Sequence, residues 1–110
     1  MSFFSKLIQG LTGVSAGPLP ANAVLIDVRS PGEFASGYID GAISLPLDNI
    51  SHTIITAVPD KGAEIIVYCR SGARSGAAKN ILNGLGYQQV SNGGSVGGLA
   101  LKLQKSVRRG

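Results

Sequence analysis

The chain has 110 residues, enough for one domain with its own hydrophobic core and too few for a second. Its residues are 44% apolar and 15% charged, which is the composition of a globular protein and excludes a disordered one. A single cysteine excludes an intramolecular disulfide, and one cysteine with one histidine cannot form a structural zinc site. The net charge of +4 favours small anionic partners, and we expect no nucleic-acid partner.

Residues 1–22 are predicted to be an N-terminal amphipathic segment that contains a short helix. Its apolar residues recur at helical spacing, namely Phe3, Phe4, Leu7, Ile8 and Leu11. A signal peptide is the alternative interpretation, but polar residues interrupt its apolar stretch and Pro18 and Pro20 precede the cleavage site. We therefore predict a cytoplasmic protein, with export to the periplasm as the alternative. Because no apolar run approaches the ~20 residues of a membrane span, we expect no membrane contact.

From residue 23 onward, strand and helix patterns alternate. The predicted strands are 23–28, 42–45, 64–68 and 88–91. The first and third are continuous apolar runs, which is typical of strands buried on both faces of a parallel sheet. This order predicts an α/β domain with helices on both faces of a mostly parallel sheet.

Four helices are predicted between and after these strands. Ser30, Pro31 and Glu33 form a capping box that begins the first, which ends at Gly37. Asp48 is predicted to cap the second, and the third carries an apolar stripe up to the stop at Gly86. The fourth follows a glycine-rich loop at 92–98. Its predicted apolar stripe is Leu99, Leu103 and Val107, and its basic face is Lys102, Lys105, Arg108 and Arg109.

The only cysteine occupies the most informative position in the chain. Cys69 ends the strongest predicted strand and is followed by a short loop and a helix, and ligands in open α/β sheets bind at this edge. Unpaired amides at the helix start, the helix dipole and the charges of Arg70 and Arg74 all favour a thiolate. Gly72 allows a turn tight enough to direct several amides at one point. The sequence therefore predicts an anion on or beside the sulfur.

Two motifs make the chain resemble the rhodanese family of sulfurtransferases. Residues 25–34 (LIDVRSPGEF), continued by 37–42 (GYIDGA), resemble the family's upstream signature. Residues 66–75 (IVYCRSGARS), followed by an alanine-rich helix, resemble its active-site signature. The sequence departs from the family in two places. Tyr38 stands where the family usually has histidine, and residues 97–101 lack the tryptophan that the family often has there.

The resemblance implies a three-layer α/β domain over residues 23–110, with a parallel sheet of about five strands. Cys69 would be the catalytic nucleophile that carries the sulfur. The substrate would be bound by the residues that follow it, Arg70, Ser71, Gly72, Ala73, Arg74 and Ser75. Asp27 and Arg29 would support the neighbouring loop. No metal and no organic cofactor is implied, and His52, the only histidine, is expected at the surface.

The predicted function is thiosulfate sulfurtransferase activity, in which Cys69 takes sulfane sulfur from thiosulfate or a related donor as a persulfide. The acceptor would be cyanide, a small thiol or a thioredoxin-like protein thiol. One alternative is a cysteine-dependent phosphatase or arsenate reductase, but those loops place five residues between cysteine and arginine, whereas four separate Cys69 from Arg74. The other is a non-catalytic rhodanese-like sulfur-carrier or binding module. The oligomeric state is left open.

Overall fold

The structure is a computed structural model that describes residues 14–15 and 17–109. Its strands are β1 (Val24–Asp27), β2 (Tyr38–Ile39), β3 (Ile43–Ser44), β4 (Glu64–Cys69), β5 (Gln89–Ser95) and β6 (Val107–Arg108). Its helices are α1 (Pro31–Ser36), α2 (Ile50–Ala57), α3 (Ala73–Gly84) and α4 (Val96–Leu103), with a 3₁₀ turn at Leu47–Asn49 before α2. The helix predicted between Phe3 and Leu11 lies outside the described residues.

Four parallel strands form the main sheet, in the order β3-β1-β4-β5. The two continuous apolar runs, β1 and β4, are its central strands, because only a central strand is covered by helices on both faces. The predicted parallel sheet is confirmed. Within the described part of the chain it has four strands rather than about five, because the short strands β2 and β6 pair antiparallel with each other instead.

Alternate side chains of β4 divide the core into two layers. Ile65, Val67 and Cys69 face the side covered by α2 and α3, where the buried side chains of these helices complete one cluster. Ile66 and Tyr68 face the side of α4 and β2, in a second cluster. This alternation follows the two-residue period of a strand and gives the predicted three-layer arrangement.

The capping box that the sequence predicts for the first helix is present. The Ser30 hydroxyl accepts from the Glu33 amide, and the Glu33 carboxylate accepts from the Ser30 amide. By contrast, the predicted Asp48 cap is wrong. Pro46 has extended backbone angles and begins the 3₁₀ turn, so Asp48 falls inside that turn and α2 begins only at Ile50.

The C-terminal part of the chain differs from the prediction in two respects. Residues 92–98 are not a loop, because β5 continues to Ser95 through a bulge and α4 begins at Val96. The bulge requires glycine at two positions. A Cβ on Gly93 would lie 2.7 Å from Leu99 Cδ2, and Gly94 has a φ of +85°. This part of the strand is therefore rich in glycine and resembles a loop in sequence. The predicted helix stripe also ends early, since Val107 lies in β6 and pairs with Ile39.

The N-terminal segment reaches the domain within its described residues. The Ser15 amide donates to the Asn92 carbonyl at 2.9 Å, and the Asn92 amide donates to Ser15 Oγ at 2.9 Å. Leu19 packs on the second core cluster. Across residues 14–15 and 17–109, no helix is long and apolar enough to span a bilayer.

Candidate active site

Cys69 is the last residue of β4, at the carboxyl edge of the main sheet and between the ends of β1 and β5. Its side chain is buried, with 1% of the residue exposed. Three residues separate it from the first residue of α3, so the helix start lies directly beside the sulfur. The predicted strand, loop and helix arrangement is therefore present.

The Cys69 sulfur lies within hydrogen-bond distance of a backbone amide and a hydroxyl group. The Gly72 amide donates to Sγ at 3.0 Å, and Ser75 Oγ lies 3.3 Å from Sγ. Gly72 has a φ of +101°, which directs its amide inward and which a side chain would strain. Burial acts to raise the pKa of the Cys69 thiol. Hydrogen bonds that favour the thiolate, from the Ser75 side chain and from the amides of Ser75, Ser71 and Gly72, have the larger effect. The pKa of Cys69 is therefore lowered. The site stabilises a thiolate.

The other loop residues differ in exposure. Arg70, Ser71 and Ala73 are exposed, whereas Gly72 and Ser75 are buried. Arg70 therefore presents its charge to solvent one residue beyond Cys69, while Ser75 contacts the sulfur from the first turn of α3. The loop separates into an outer charged part and an inner part that binds the sulfur.

Arg74 is bound by a carboxylate. Its two terminal guanidinium nitrogens donate to Glu33 Oε1 at 2.7 Å and Oε2 at 2.9 Å. This bidentate pair joins the first turn of α3 to α1. The Arg74 hydrogen bonds hold the pKa of Glu33 well below its usual range, although nearly a third of the Glu33 side chain is exposed. The pair therefore ties the end of the loop after Cys69 to α1.

Asp27 and Arg29 form a buried ion pair at the end of β1. Arg29 Nη2 lies 2.6 Å from Asp27 Oδ2 and donates to the Gly37 carbonyl at 2.5 Å. The Arg29 amide also donates to the Asp27 carboxylate at 2.9 Å. The hydrogen bond to Asp27 raises the pKa of Arg29, and the pair holds the segment from β1 to α1 beside the site. This geometry fits the supporting role that the resemblance implies.

Two residues that differ from the family pattern are packed into the domain. The Tyr38 ring stacks on Phe34 with 4.2 Å between ring centroids. Leu99 lies in the stretch where the family often has tryptophan, and it is buried in the second core cluster.

His52, the only histidine, is exposed on α2 as expected. Among the described residues, no group of three or more His, Cys, Asp or Glu side chains lies close enough to hold a metal ion.

The sequence interpretation missed two residues of this region. Asn92 is fully buried, and its Oδ1 accepts a hydrogen bond from Ser75 Oγ at 2.6 Å. Lys102 lines a cavity of about 290 Å³ beside the loop, together with Val14, Ser71, Gly93, Gly94, Ser95 and Gly98. A smaller cavity of about 140 Å³ adjoins Arg74 and Asp48. The sequence pattern predicts a loop at Asn92 and a solvated helix face at Lys102, so neither position carries a signal for the site.

Comparison with known proteins identifies the family. The family model for the rhodanese-like domain matches residues 16–97. The chain belongs to the rhodanese family. It is 40% identical over 102 residues to the thiosulfate sulfurtransferase PspE of Escherichia coli, covering 93% of this chain and 98% of that protein. It is 33% identical over 81 residues to the thiosulfate:glutathione sulfurtransferase of Saccharomyces cerevisiae, covering 64% of this chain and 58% of that protein.

The solved structures agree with this assignment. The structure of a rhodanese with anions from E. coli superposes with a TM-score of 0.74 at 39% identity, covering 80% of this chain and 99% of that chain. The rhodanese fold predicted from the two motifs is confirmed. The prediction that this rhodanese is a sulfurtransferase enzyme of the thiosulfate sulfurtransferase type is confirmed at the level of the enzyme class.

Proposed function

We propose that this rhodanese transfers the outer sulfur of thiosulfate, or of a related sulfane-sulfur donor, to a thiol acceptor through a persulfide on Cys69. The observation that carries this proposal is the Cys69 sulfur held at a helix start, with the Gly72 amide 3.0 Å from Sγ. The names of the curated relatives support the choice of thiosulfate as donor and a small thiol as acceptor.

In the first step, the Cys69 thiolate attacks the outer sulfur of thiosulfate. The new bond joins Sγ to that sulfur, the sulfur–sulfur bond of the donor breaks, and its electron pair leaves with sulfite. Because the thiolate is already favoured by hydrogen bonds from the loop, this step needs no general base. The loop amides also face the persulfide without reorganising, which lowers the barrier.

The donor anion would enter through the cavity beside Ser71. Lys102 on α4 brings positive charge to this cavity, and Arg70 is an exposed cation directly before Ser71, whereas the charge of Arg74 is paired with Glu33. Three of the residues that line the cavity are glycines, so a small anion can approach the backbone closely. The smaller cavity adjoins Asp48, whose negative charge opposes an anion.

In the second step, an acceptor thiolate or cyanide attacks the outer sulfur of the persulfide. The sulfur–sulfur bond breaks, its electron pair returns to Cys69, and the acceptor leaves with the sulfur. A protein thiol of the thioredoxin type is a further acceptor that this chemistry permits, because any accessible thiolate can make the attack. No metal or cofactor takes part in either step.

The test is the intact mass of the protein before and after treatment with thiosulfate. We expect a gain equal to one sulfur atom, lost again when cyanide is added. Cys69→Ser is the matched control, since serine is nearly the same size but cannot carry sulfane sulfur. It should fold normally, gain no mass and produce no thiocyanate.

Two results would contradict the proposal. One is thiocyanate production by Cys69→Ser at the wild-type rate, which would remove the cysteine from the reaction. The other is phosphate or arsenate turnover by the wild-type protein without any sulfur adduct, which would favour the phosphatase or arsenate reductase class.

A further inference from the structure

Asn92 makes hydrogen bonds that fix the orientation of its own side-chain amide. The Gly94 amide donates to Asn92 Oδ1 at 3.0 Å, and Asn92 Nδ2 donates to the Gly72 carbonyl at 2.9 Å. A backbone amide can only donate and a carbonyl can only accept, so the orientation of the Asn92 side-chain amide is determined. Oδ1 is therefore the atom that faces Ser75.

Ser75 has one hydroxyl hydrogen and two neighbours that compete for it. Asn92 Oδ1 has no hydrogen, so at 2.6 Å the Ser75 hydroxyl must be the donor. The remaining contact, 3.3 Å between Ser75 Oγ and Cys69 Sγ, can then be a hydrogen bond only if the thiol donates. The described geometry thus fits the thiol form of Cys69.

A thiolate has no hydrogen to donate and requires the opposite direction. When the thiol proton is lost to solvent, the Ser75 hydroxyl can stabilise the sulfur only by turning its hydrogen from Asn92 Oδ1 to Sγ. Oδ1 keeps the Gly94 amide as a donor, so this rotation leaves no buried acceptor unpaired. Asn92 is fully buried and makes these contacts from β5, opposite the start of α3.

We infer that the Ser75 hydroxyl is a two-position hydrogen-bond donor, held by Asn92 while Cys69 is a thiol and turned onto Sγ when Cys69 becomes a thiolate. Asn92 is thus a positioning residue that acts on the nucleophile through Ser75. The inference deepens the proposed function and rests on it only in taking the thiolate as the nucleophile.

Several charged groups lie on the elements around Cys69. They are Asp27 and Arg29 at the end of β1, Asp48 before α2, Arg70 and Arg74 beside the sulfur, and Lys102 on α4. Burial raises the pKa of the neighbouring Tyr68, so its hydroxyl stays neutral near pH 7. The difference between the wild-type protein and a Cys69→Ser blank therefore reports on Cys69.

The experiment is a pH titration of the ultraviolet absorbance of the thiolate, with Cys69→Ser as the blank. It needs no sulfur donor, so its outcome is independent of whether thiosulfate is the substrate. We expect Ser75→Ala to raise the pKa of Cys69 by about one pH unit, because the thiolate loses one of its donors. Ser91→Ala, on β5 next to Asn92, is the matched control and should leave the titration unchanged.

Asn92→Asp tests whether Asn92 acts through Ser75. A carboxylate at this position holds the hydroxyl hydrogen more strongly and repels the thiolate, so the pKa of Cys69 should rise. The rise should be smaller in the Ser75→Ala background, where only the repulsion remains. Asn83→Asp, the same change at an exposed position of α3, should have little effect.

Either of two results would overturn the inference. If Ser75→Ala leaves the titration unchanged or moves it to lower pH, the hydroxyl does not stabilise the thiolate. If Asn92→Asp shifts the titration equally with and without Ser75, Asn92 does not act through the hydroxyl. The Ser75→Ala titration tests the first point even if Asn92→Asp fails to fold. Ser75→Ala should fold, because alanine is smaller than serine and favours the helix.

Discussion

Charged residues near Cys69 are held in two ways, and burial determines what each contributes. Asp27 is fully buried and its partner Arg29 nearly so, whereas Arg70 is exposed. A buried charge whose partner is removed stays in a low-dielectric environment. Removing one member of a buried ion pair therefore lowers the free energy of unfolding. An exposed charge is screened by salt and contributes mainly by attracting an anion. Substitutions at the two kinds of position should therefore change different measured quantities.

Asp27→Ala should lower the free energy of unfolding by about 3 kcal/mol, because it leaves the Arg29 guanidinium buried without its carboxylate. Asp40→Ala is the matched control, since it breaks the exposed Asp40–Arg108 pair and should cost less than about 1 kcal/mol. Urea unfolding of both variants measures the difference. Equal losses would contradict a structural role for the buried pair.

Arg70→Ala should raise KM for thiosulfate about two- to fivefold and leave kcat unchanged, because an exposed charge acts on the ground state and the transition state alike. The effect should shrink at high salt. Arg109→Ala removes the same charge at an exposed position in the C-terminal tail and should have no effect. Steady-state kinetics at two salt concentrations make the comparison, and a fall in kcat would show instead that Arg70 contacts the reacting atoms.

At the scale of elements, the helix α1 and the loop after β4 are coupled through Glu33. Its carboxylate caps the start of α1 through the Ser30 amide and also binds the Arg74 guanidinium. Arg74 lies in the first turn of α3, the turn from which Ser75 contacts Sγ. The position of the loop amides therefore depends on a contact with a distant part of the sequence.

Arg74→Ala should lower kcat, by up to about 10²-fold, because a loosened loop no longer directs its amides at the sulfur. Glu33→Gln should also lower kcat, but by a smaller factor, because Glu33 acts on the loop only through Arg74. Glu64→Gln removes an exposed carboxylate at the start of β4 and is the matched control. If both variants changed only KM, Arg74 would supply charge and would not brace the loop.

At the scale of the whole molecule, the parallel sheet gathers residues that are far apart in the sequence. The larger cavity is lined by Val14 from the N-terminal segment, Ser71 from the loop after β4 and Lys102 from α4. The position of Lys102 follows from α4 beginning at Val96, immediately after the bulge in β5. A cation of the predicted basic face thereby borders the site.

Lys102→Gln should raise KM for thiosulfate about two- to fivefold with little change in kcat, because the ammonium attracts the donor anion at the cavity. Lys105→Gln, three residues further along and outside the cavity lining, carries the same loss of charge and should behave as the wild type. An equal rise of KM in both variants would mean that only the net charge matters. A rise of KM in Lys102→Gln alone would indicate that the donor binds at this cavity.

Local sequence patterns predict the order of the main elements and indicate Cys69 as the candidate nucleophile. Continuous apolar runs predict the central strands β1 and β4, and a cysteine between such a strand and a glycine-containing loop indicates the site, because these are local patterns of burial and backbone freedom. The motifs around Cys69 and Asp27 indicate the rhodanese family. The location of the protein in the cell remains a prediction.

Which side chains meet at the sulfur depends on how the chain folds. Asn92 and Gly93 resemble a turn in sequence, and only pairing with β4 makes them the bulge that places Asn92 against Ser75. Val107 fits a helical stripe, but it lies in β6 because it pairs with Ile39. In each case the deciding interaction joins residues far apart in the chain, and a local pattern carries no information about a partner that only folding brings near.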